Sequence, residues 1–242
     1  MLPALIAGCW MMVASMTPSC CSPDGAPPQD PWVKARRAMV ADQVAARGVS
    51  DPRVLDAMRA VPRHEFVPGS LREDAYWDSP LSIGYGQTIS QPYIVALMTE
   101  LARPAPGDRA LEVGTGSGYQ AAVLSRLVAR VFSIELLEPL ARSAAATLQR
   151  LGCTNVTVRQ GDGYLGWPEE APFDIILVTA APEEVPQALV DQLKPGGRLV
   201  VPVGPVHDVQ DLRLLVKDES GRVLSRSVIP VRFVPLVKRR GS

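Results

Sequence analysis

Three features that could take part in chemistry lie close together near the middle of the sequence. Glu112 stands two residues before a run of alternating glycines, Gly114-Thr115-Gly116-Ser117-Gly118, and Glu135 ends the apolar run that follows. Glycines permit a tight turn and let a ligand approach the bare backbone. A strand, a glycine turn, an apolar helix and a second strand ending in an acid form one βαβ unit, a common ligand-binding arrangement.

The spacing of the glycines separates two classes of ligand. Dinucleotide sites use G-x-G-x-x-G, because the pyrophosphate lies on free N–H groups at the helix start. Here the spacing is G-x-G-x-G, and the Glu112 carboxylate would repel a diphosphate but suit a cation. S-adenosylmethionine carries a sulfonium and no phosphate, and Glu135 can accept hydrogen bonds from its ribose hydroxyls. The pattern favours S-adenosylmethionine; the alternative is a glycine-rich turn in an unrelated α/β protein.

A second candidate region precedes this unit. Residues 76–91 are polar, glycine-bearing and irregular, and a loop of this length is more often functional than idle. The loop leads into an apolar helix predicted from Pro92 to Ala102, which Ser90 is placed to cap. Free N–H groups at a helix start favour a bound carboxylate. The alternative is that Ser90 only caps the helix.

The remaining titratable residues give weaker signals. Asp162 lies between two glycines after a predicted strand, where an acid suits a hydrogen bond to an adenine amino group; the alternative is a plain turn. None of the four cysteines has the spacing of metal ligands, so no metal site is expected. His64 lies between charged neighbours and is interpreted as a surface or hydrogen-bonding group, not as a catalytic base.

The hydrophobic pattern predicts the elements that position these residues. A helical lead-in runs from Pro31 to Gly48, and a second helix begins at Ser50-Asp51-Pro52 with Ser50 as its cap. Apolar runs predict strands at 110–113, 131–134, 156–159, 173–178 and 198–203, with helices between them, and alternating runs at 210–216 and 222–235 predict antiparallel edge strands. The fold class is α/β: an open, doubly wound, mostly parallel sheet of about seven strands with an N-terminal helical lead-in.

Composition and length limit the other possibilities. The chain has 242 residues, and its 25 Lys and Arg balance its 25 Asp and Glu, so charge does not point to nucleic acid or an anionic membrane. Residues 1–31 are an apolar and then Pro-rich leader, and residues 32–242 are expected to form a single domain. The apolar part is too short for a comfortable transmembrane helix. It resembles the core of a secretory signal; the alternative is a mis-assigned start or a disordered extension.

Several stretches resemble the protein-L-isoaspartate O-methyltransferase family. The most specific is Gly86-Gln87-Thr88-Ile89-Ser90-Gln91-Pro92, which is close to a signature of that family. The stretch from Leu111 to Tyr119 matches the family's cofactor loop. Those from Leu193 to Leu199 and from Val231 to Leu236 add less specific similarity, and the resemblance runs from about Ala38 to Lys238.

The resemblance implies a Rossmann-like fold and methyl transfer from S-adenosylmethionine to the free carboxylate of L-isoaspartyl or D-aspartyl residues in damaged proteins and peptides. The ester then gives a succinimide, which starts repair. The implied catalytic residue is Ser90. The implied substrate-binding residues are Thr88, Ile89, Ser90 and Gln91. The implied cofactor-binding residues are Glu112, Gly114, Thr115, Gly116, Gly118, Glu135, Asp162 and Gly163.

The resemblance also sets expectations about partners and location. The expected partners are proteins and peptides with isoaspartyl residues, without nucleic acid and without a stable membrane span, and a monomer is expected. The resemblance implies the cytoplasm; the alternative is export or a lipid anchor through residues 1–21. The family often has Asp at the position of Glu135, and the longer side chain can still reach a ribose.

Three rival functions stay open. A nicotinamide-dependent oxidoreductase would need the third glycine one residue later. A nucleic-acid amino methyltransferase usually has a polar-polar-Pro-aromatic motif where this chain has Thr179-Ala180-Ala181-Pro182, and a small-molecule methyltransferase is also open. A binding module that retains the cofactor fold would bind the cofactor without transferring a methyl group.

Overall fold

The computed structural model describes residues 30–206 and 208–238. The predicted leader at residues 1–31 lies outside this part of the chain except for its last two positions. Residues from Trp32 onward form one compact unit. Within the described ranges, no helix is both long enough and apolar enough to cross a membrane.

The helices of the described chain agree with the predicted order. The N-terminal helix α1 continues as a π-helical segment, Met39–Val44, and a 3-10 turn, Ala45–Arg47, which confirms the helical lead-in. The helices are α1 (Val33–Ala38), α2 (Pro52–Ala60), α3 (Pro92–Ala102), α4 (Tyr119–Ser125), α5 (Glu138–Arg150) and α6 (Gln187–Asp191).

The strands form a small hairpin and one large sheet. The hairpin strands are β1 (Leu81–Gly84) and β2 (Gln87–Ile89). The sheet strands are β3 (Arg109–Val113), β4 (Arg130–Glu135), β5 (Val156–Gln160), β6 (Phe173–Val178), β7 (Leu193–Val203), β8 (Gln210–Lys217) and β9 (Val223–Val231). The seven sheet strands lie in the order β5-β4-β3-β6-β7-β8-β9, parallel up to β7 and antiparallel beyond it.

Side chains on the strands alternate between two apolar cores, one on each face of the sheet. In β3, Ala110 packs in the core that also holds α2, α3 and α4, whereas Leu111 and Val113 pack in the core that holds α6. This alternation is the period of two that a strand imposes. Both faces are therefore covered by helices, which confirms the doubly wound architecture. By the same alternation Glu112 is directed to the face of Ala110, where it is fully buried.

One strand begins earlier than predicted and contains an irregularity. The sequence predicted a strand at 198–203, but β7 already begins at Leu193. Leu193 pairs with Phe173, and the next pair joins Arg198 to Ile175. The four intervening residues bulge out of the ladder, as extra residues in a paired strand must.

The segment at residues 76–91 is more ordered than predicted, because it contains the β1–β2 hairpin. Ser82 pairs with Thr88, and Leu81 pairs with Ile89. The expectation of an irregular loop was therefore wrong. The two strands have four and three residues, which is too short for a period of two to stand out in the sequence.

Both predicted helix caps were assigned to the wrong residue. The N-cap of α2 is Asp51, not Ser50, and the Asp51 carboxylate accepts a hydrogen bond from the Arg53 N–H at 2.9 Å. The N-cap of α3 is Gln91, without a side-chain cap, so Ser90 does not cap that helix. The two errors share one cause: a single residue's backbone angles decide where a helix begins, and the sequence does not fix them to one position.

Replacement of the observed cap should therefore destabilise the protein, whereas replacement of its neighbour should not. We expect Asp51→Ala to lower the free energy of unfolding by about 1 kcal/mol, because the first turn of α2 loses a side-chain acceptor. Asp51→Asn should lower the free energy of unfolding much less, because an amide oxygen can also cap the helix. Urea unfolding of both variants, with Ser50→Ala as the control, checks this. An equal loss in Ser50→Ala and Asp51→Ala would contradict the assignment.

Candidate active site

The first of two adjacent cavities lies at the carboxyl ends of β3 and β4 and has a volume of about 210 Å³. The β1–β2 hairpin, the glycine turn after β3, the end of β4 and residues 234–237 line it. The predicted site residues on this lining are Thr88, Ile89, Ser90, Glu112, Gly114, Thr115, Gly116, Glu135 and Gly163. The predicted site residues that lie off it are Gln91, Gly118 and Asp162.

The three glycines of the turn serve different purposes. Gly114 has a φ of 98°, and a Cβ there would lie 2.5 Å from the Thr179 hydroxyl oxygen. Gly116 has a φ of 53° and faces the cavity. Gly118 instead leaves room for Leu148 of α5, whose nearest carbon would lie 3.3 Å from an added Cβ. Gly114 and Gly116 therefore shape the cavity, and Gly118 lets α5 pack against the start of α4.

Glu135 joins the end of β4 to the glycine turn. Its Oε2 accepts a hydrogen bond from the Gly116 N–H at 2.8 Å, and its Oε1 accepts one from the Leu137 N–H at 3.0 Å. Each carboxylate oxygen has a second lone pair. The Glu135 carboxylate can therefore hold the turn in place and still accept hydrogen bonds from a ligand's hydroxyls.

Glu112 is a buried acid beside the same cavity. Its Oε2 accepts a hydrogen bond from Ser133 Oγ, which lies 2.6 Å from Thr115 Oγ1, and within the described chain its Oε1 has no partner. Burial, together with the nearby negative charge of Glu135, raises the pKa of Glu112 to about 8. The side chain is therefore mostly protonated in the free protein at neutral pH, and a cationic ligand would favour its ionised form.

A second cavity of about 390 Å³ adjoins the first. Arg47 and Arg232 are on its described lining, which contains no Asp or Glu, whereas the described lining of the first cavity contains Glu112 and Glu135 and no Lys or Arg. A cleft lined by acids attracts cations, and a cleft lined by arginines attracts anions. The first cavity thus suits a cation and the second suits an anion.

Uncharged residues separate the two cavities. Thr88, Ser90, Thr179 and Val234 line both of them. The Thr179 hydroxyl donates to the Gly114 carbonyl at 2.5 Å, whereas the hydroxyls of Thr88 and Ser90 make no hydrogen bond within the described residues. Two hydroxyl groups are therefore available for a ligand at the point where the cavities meet.

The other two predicted substrate residues flank this wall. Ile89 is 4% exposed and supplies an apolar side to the first cavity. Gln91 lines only the second cavity, and its side-chain amide donates to Asp78 at 3.3 Å. Asp78 also forms an ion pair with Arg47 at 2.7 Å. Gln91 and Arg47 are thus held through one carboxylate.

The C-terminal segment at residues 234–237 is a wall of the first cavity that sequence reasoning did not assign to the site. The Ala181 N–H donates to the Val234 carbonyl, and the Leu236 N–H donates to the Ala181 carbonyl, both at 2.8 Å. The Tyr164 hydroxyl donates to the Leu236 carbonyl at 3.2 Å. These partners are more than 50 positions apart in the sequence, so no local pattern indicates the contact.

Asp162 and Gly163 immediately precede Tyr164, which contacts this segment. The Asp162 carboxylate accepts a hydrogen bond from the Tyr164 N–H at 2.9 Å and caps a short 3-10 turn, Gly163–Leu165. A Cβ on Gly163 would lie 2.4 Å from Val113 Cγ1. Only glycine fits there, and its backbone becomes part of the cavity lining.

Comparisons with known proteins agree on one family. A family model described as protein-L-isoaspartate(D-aspartate) O-methyltransferase matches residues 34–241. A protein-L-isoaspartate O-methyltransferase of Synechococcus sp. is 58% identical over 214 residues, which are 86% of this chain and 87% of the relative. A protein of the same name from Cupriavidus necator, numbered 1 there, is 51% identical over 241 residues, 98% of this chain and 92% of the relative.

Solved structures agree with these relatives. A protein-L-isoaspartate O-methyltransferase structure matches with a TM-score of 0.73 and 34% identity and covers 82% of this chain and 65% of its own. A Plasmodium falciparum protein described as a beta-aspartate methyltransferase, in complex with S-adenosyl-L-homocysteine, matches with a TM-score of 0.74 and 26% identity. That match covers 84% of this chain and 99% of its own.

The raised pKa of Glu112 has a direct consequence for stability. Because the pKa of the buried carboxyl is raised to about 8, it keeps its proton up to about that pH, whereas in the unfolded chain it ionises near 4.5, the ordinary pKa of a glutamate. Between these values the unfolded chain binds fewer protons, so Glu112 makes the free energy of unfolding fall as pH rises, by up to a few kcal/mol. Glu112→Gln should remove the fall in the free energy of unfolding that Glu112 causes. The variant should therefore be more stable than the parent at pH 8.

Urea unfolding at pH 5, 6.5 and 8 measures this effect. Glu184→Gln is the control, because it removes the same charge from an exposed position. If Glu112→Gln and Glu184→Gln showed the same dependence of stability on pH, the burial argument would be wrong.

Proposed function

The chain belongs to the protein-L-isoaspartate(D-aspartate) O-methyltransferase family, and we propose that it methylates the free carboxylate of L-isoaspartyl or D-aspartyl residues in damaged proteins and peptides, with S-adenosylmethionine as the donor. One observation carries the proposal. A cavity lined by two acids meets a cavity lined by two arginines across a wall that bears the free hydroxyls of Thr88 and Ser90. A cationic donor and an anionic acceptor would meet at that wall.

The residues of the first cavity fit S-adenosylmethionine. The lining includes two acids, one of them with an unpaired buried oxygen, and glycines where a Cβ would fill the space. We assign Glu135 to the ribose hydroxyls, Glu112 to the cationic part of the donor, and the backbone around Gly114 and Gly116 to close contact with it. When bound, S-adenosylmethionine supplies a methyl group activated by the adjacent sulfonium.

The acceptor needs orientation rather than activation. A carboxylate is already ionised and nucleophilic at neutral pH, so no general base is required, and the described linings of both cavities contain no histidine. The hydroxyls of Ser90 and Thr88 can donate hydrogen bonds to the acceptor carboxylate and fix its direction of attack. Both reactants lose charge in the transition state, so strong ion pairing at the reacting carboxylate would slow the reaction.

The two arginines of the second cavity differ in their surroundings. The Arg47 guanidinium is neutralised by Asp78 and lies 3.5 Å above the Tyr93 ring. Arg232 is exposed on the lining beyond the end of β9. We propose that Arg232 attracts an anionic peptide, whereas the neutral hydroxyls of Thr88 and Ser90 bind the carboxylate that reacts.

We propose that the protein acts as a monomer on proteins and peptides and does not act on nucleic acid. We further propose that it works in the cytoplasm, where S-adenosylmethionine is supplied. Export or a lipid anchor through residues 1–21 is the competing location. Mass spectrometry of the mature N-terminus distinguishes the two.

The proposed function is tested with two peptides of the same sequence, one with an L-isoaspartyl residue and one with an ordinary aspartyl residue. We expect methyl transfer only to the isoaspartyl peptide, because its free carboxylate is attached directly to the backbone carbon. The measurement is transfer of a labelled methyl group. Equal methylation of both peptides, or transfer to neither, would contradict the proposal. Binding of S-adenosylhomocysteine without transfer to either would indicate a non-catalytic module.

Substitutions at the two ends of the first cavity should have different effects. Ser90→Ala should lower turnover by at least about tenfold, because the carboxylate loses an orienting donor. It should leave S-adenosylhomocysteine affinity and unfolding temperature unchanged, since Ser90 is not the cap of α3. Glu135→Ala should weaken S-adenosylhomocysteine binding by about tenfold or more, because hydrogen bonds to the ribose are lost.

The matched control for Glu135→Ala is Glu135→Asp, which retains an acid. Calorimetric titration with S-adenosylhomocysteine and steady-state turnover at saturating donor separate binding from reaction. Similar losses of cofactor affinity in Ser90→Ala and Glu135→Ala would exclude the division of roles.

A further inference from the structure

The first residue of the turn between β1 and β2, Tyr85, is unfavourable for the backbone conformation that the turn adopts. Tyr85 and Gly86 join the strands with φ angles of 55° and 71°. Positive φ at both central residues characterises the type I′ hairpin turn, which favours Asn, Asp or Gly at the first position. A tyrosine there costs free energy, because its Cβ crowds the backbone. Among the described residues, only Tyr85 and Arg103 have a positive φ without being glycine.

The Tyr85 side chain gains nothing within the described chain to offset this cost. It is 65% exposed. Each of the other four tyrosines has a ring contact, with His64 at Tyr76, Arg47 at Tyr93, Arg63 at Tyr119 and Lys238 at Tyr164. Tyr85 makes no ring contact and no hydrogen bond within the described residues. Strain at a position without internal contacts is typical of a group that serves a ligand.

The hairpin holds Tyr85 at the first cavity. Ile83 of β1 lies across the glycine turn, with its Cδ1 at 3.4 Å from the position of a Cβ on Gly116. Tyr85 lines the cavity together with Ser90, which follows β2 on the same hairpin. Tyr85 is thus on the lining that carries the proposed site of methyl transfer.

The charges around this cavity indicate the ligand group that the ring would meet. The described lining has two acids and no Lys or Arg. The face of an aromatic ring attracts a cation through its quadrupole, and the attraction grows when the cation is desolvated. A ring at the reactive end of this cavity is therefore suited to a positively charged centre.

We propose that Tyr85 is a cofactor contact whose ring covers the sulfonium of S-adenosylmethionine, so that the site prefers this donor to its product, S-adenosylhomocysteine, which lacks the sulfonium charge. The inference rests on the proposed function. The strained turn keeps an aromatic ring where asparagine would suit the backbone better. Loss of the sulfonium charge on methyl transfer removes the attraction, which favours exchange of product for fresh donor.

The decisive variant is Tyr85→Asn, which removes the ring and supplies a residue that the turn prefers. Calorimetric titration without peptide should show that S-adenosylmethionine affinity falls by about threefold or more, and that S-adenosylhomocysteine affinity changes much less. The unfolding temperature of the free variant should equal or exceed that of the parent, because backbone strain is relieved. Tyr85→Phe should retain both the affinity and the preference.

Arg103→Asn is the matched control, because it relieves the other positive φ outside the cavity lining. It should leave both affinities unchanged. Equal weakening of both ligands by Tyr85→Asn, no weakening of either, or destabilisation of the free variant would overturn the inference. In each of those cases the parent would still methylate the isoaspartyl peptide, whereas a parent that binds neither ligand would overturn the proposed function itself.

Discussion

The turn after β3 is held by two neighbouring segments, β4 and the loop after β6, and the site depends on these contacts. The N–H groups of Gly114 and Thr115 donate to the Ile134 carbonyl at 2.8 and 3.1 Å, and the Gly116 N–H donates to Glu135. From the other side, Thr179 donates to the Gly114 carbonyl. This glycine-rich turn is thus fixed by β4 and by the loop after β6. Its rigidity gives the first cavity a shape before any ligand binds.

The separation of charge between the cavities follows from the topology. Glu112 and Glu135 belong to β3 and β4, in the parallel half of the sheet, whereas Arg232 follows β9 at the antiparallel edge. The end of the β1–β2 hairpin supplies the uncharged hydroxyls of Thr88 and Ser90 where the two cavities meet. Charged residues then attract the two oppositely charged reactants, and separate, uncharged residues bind the reacting groups weakly. This separation suits a reaction in which charge disappears.

Local patterns in the sequence predicted most of the sheet and the glycine turn, because strand and βαβ signals depend on neighbouring residues. The β1–β2 hairpin escaped prediction because its strands are short and its turn has tyrosine where a glycine or asparagine is usual. Ser50 and Ser90 were mistaken for caps because residue type alone does not set backbone angles. The perturbed pKa of Glu112 and the wall formed by residues 234–237 depend on burial and on contacts between distant segments.

That wall has a thermodynamic consequence. Residues 234–237 are joined to the loop after β6 by two backbone hydrogen bonds through Ala181, and Tyr164 adds a third contact. A ligand that touches this segment binds only while the segment is attached, so occupancy and attachment are linked by mass action. The C-terminal segment should therefore be cut by proteases more slowly in the loaded protein than in the empty one, and resistance there reports how much of the protein carries its ligand.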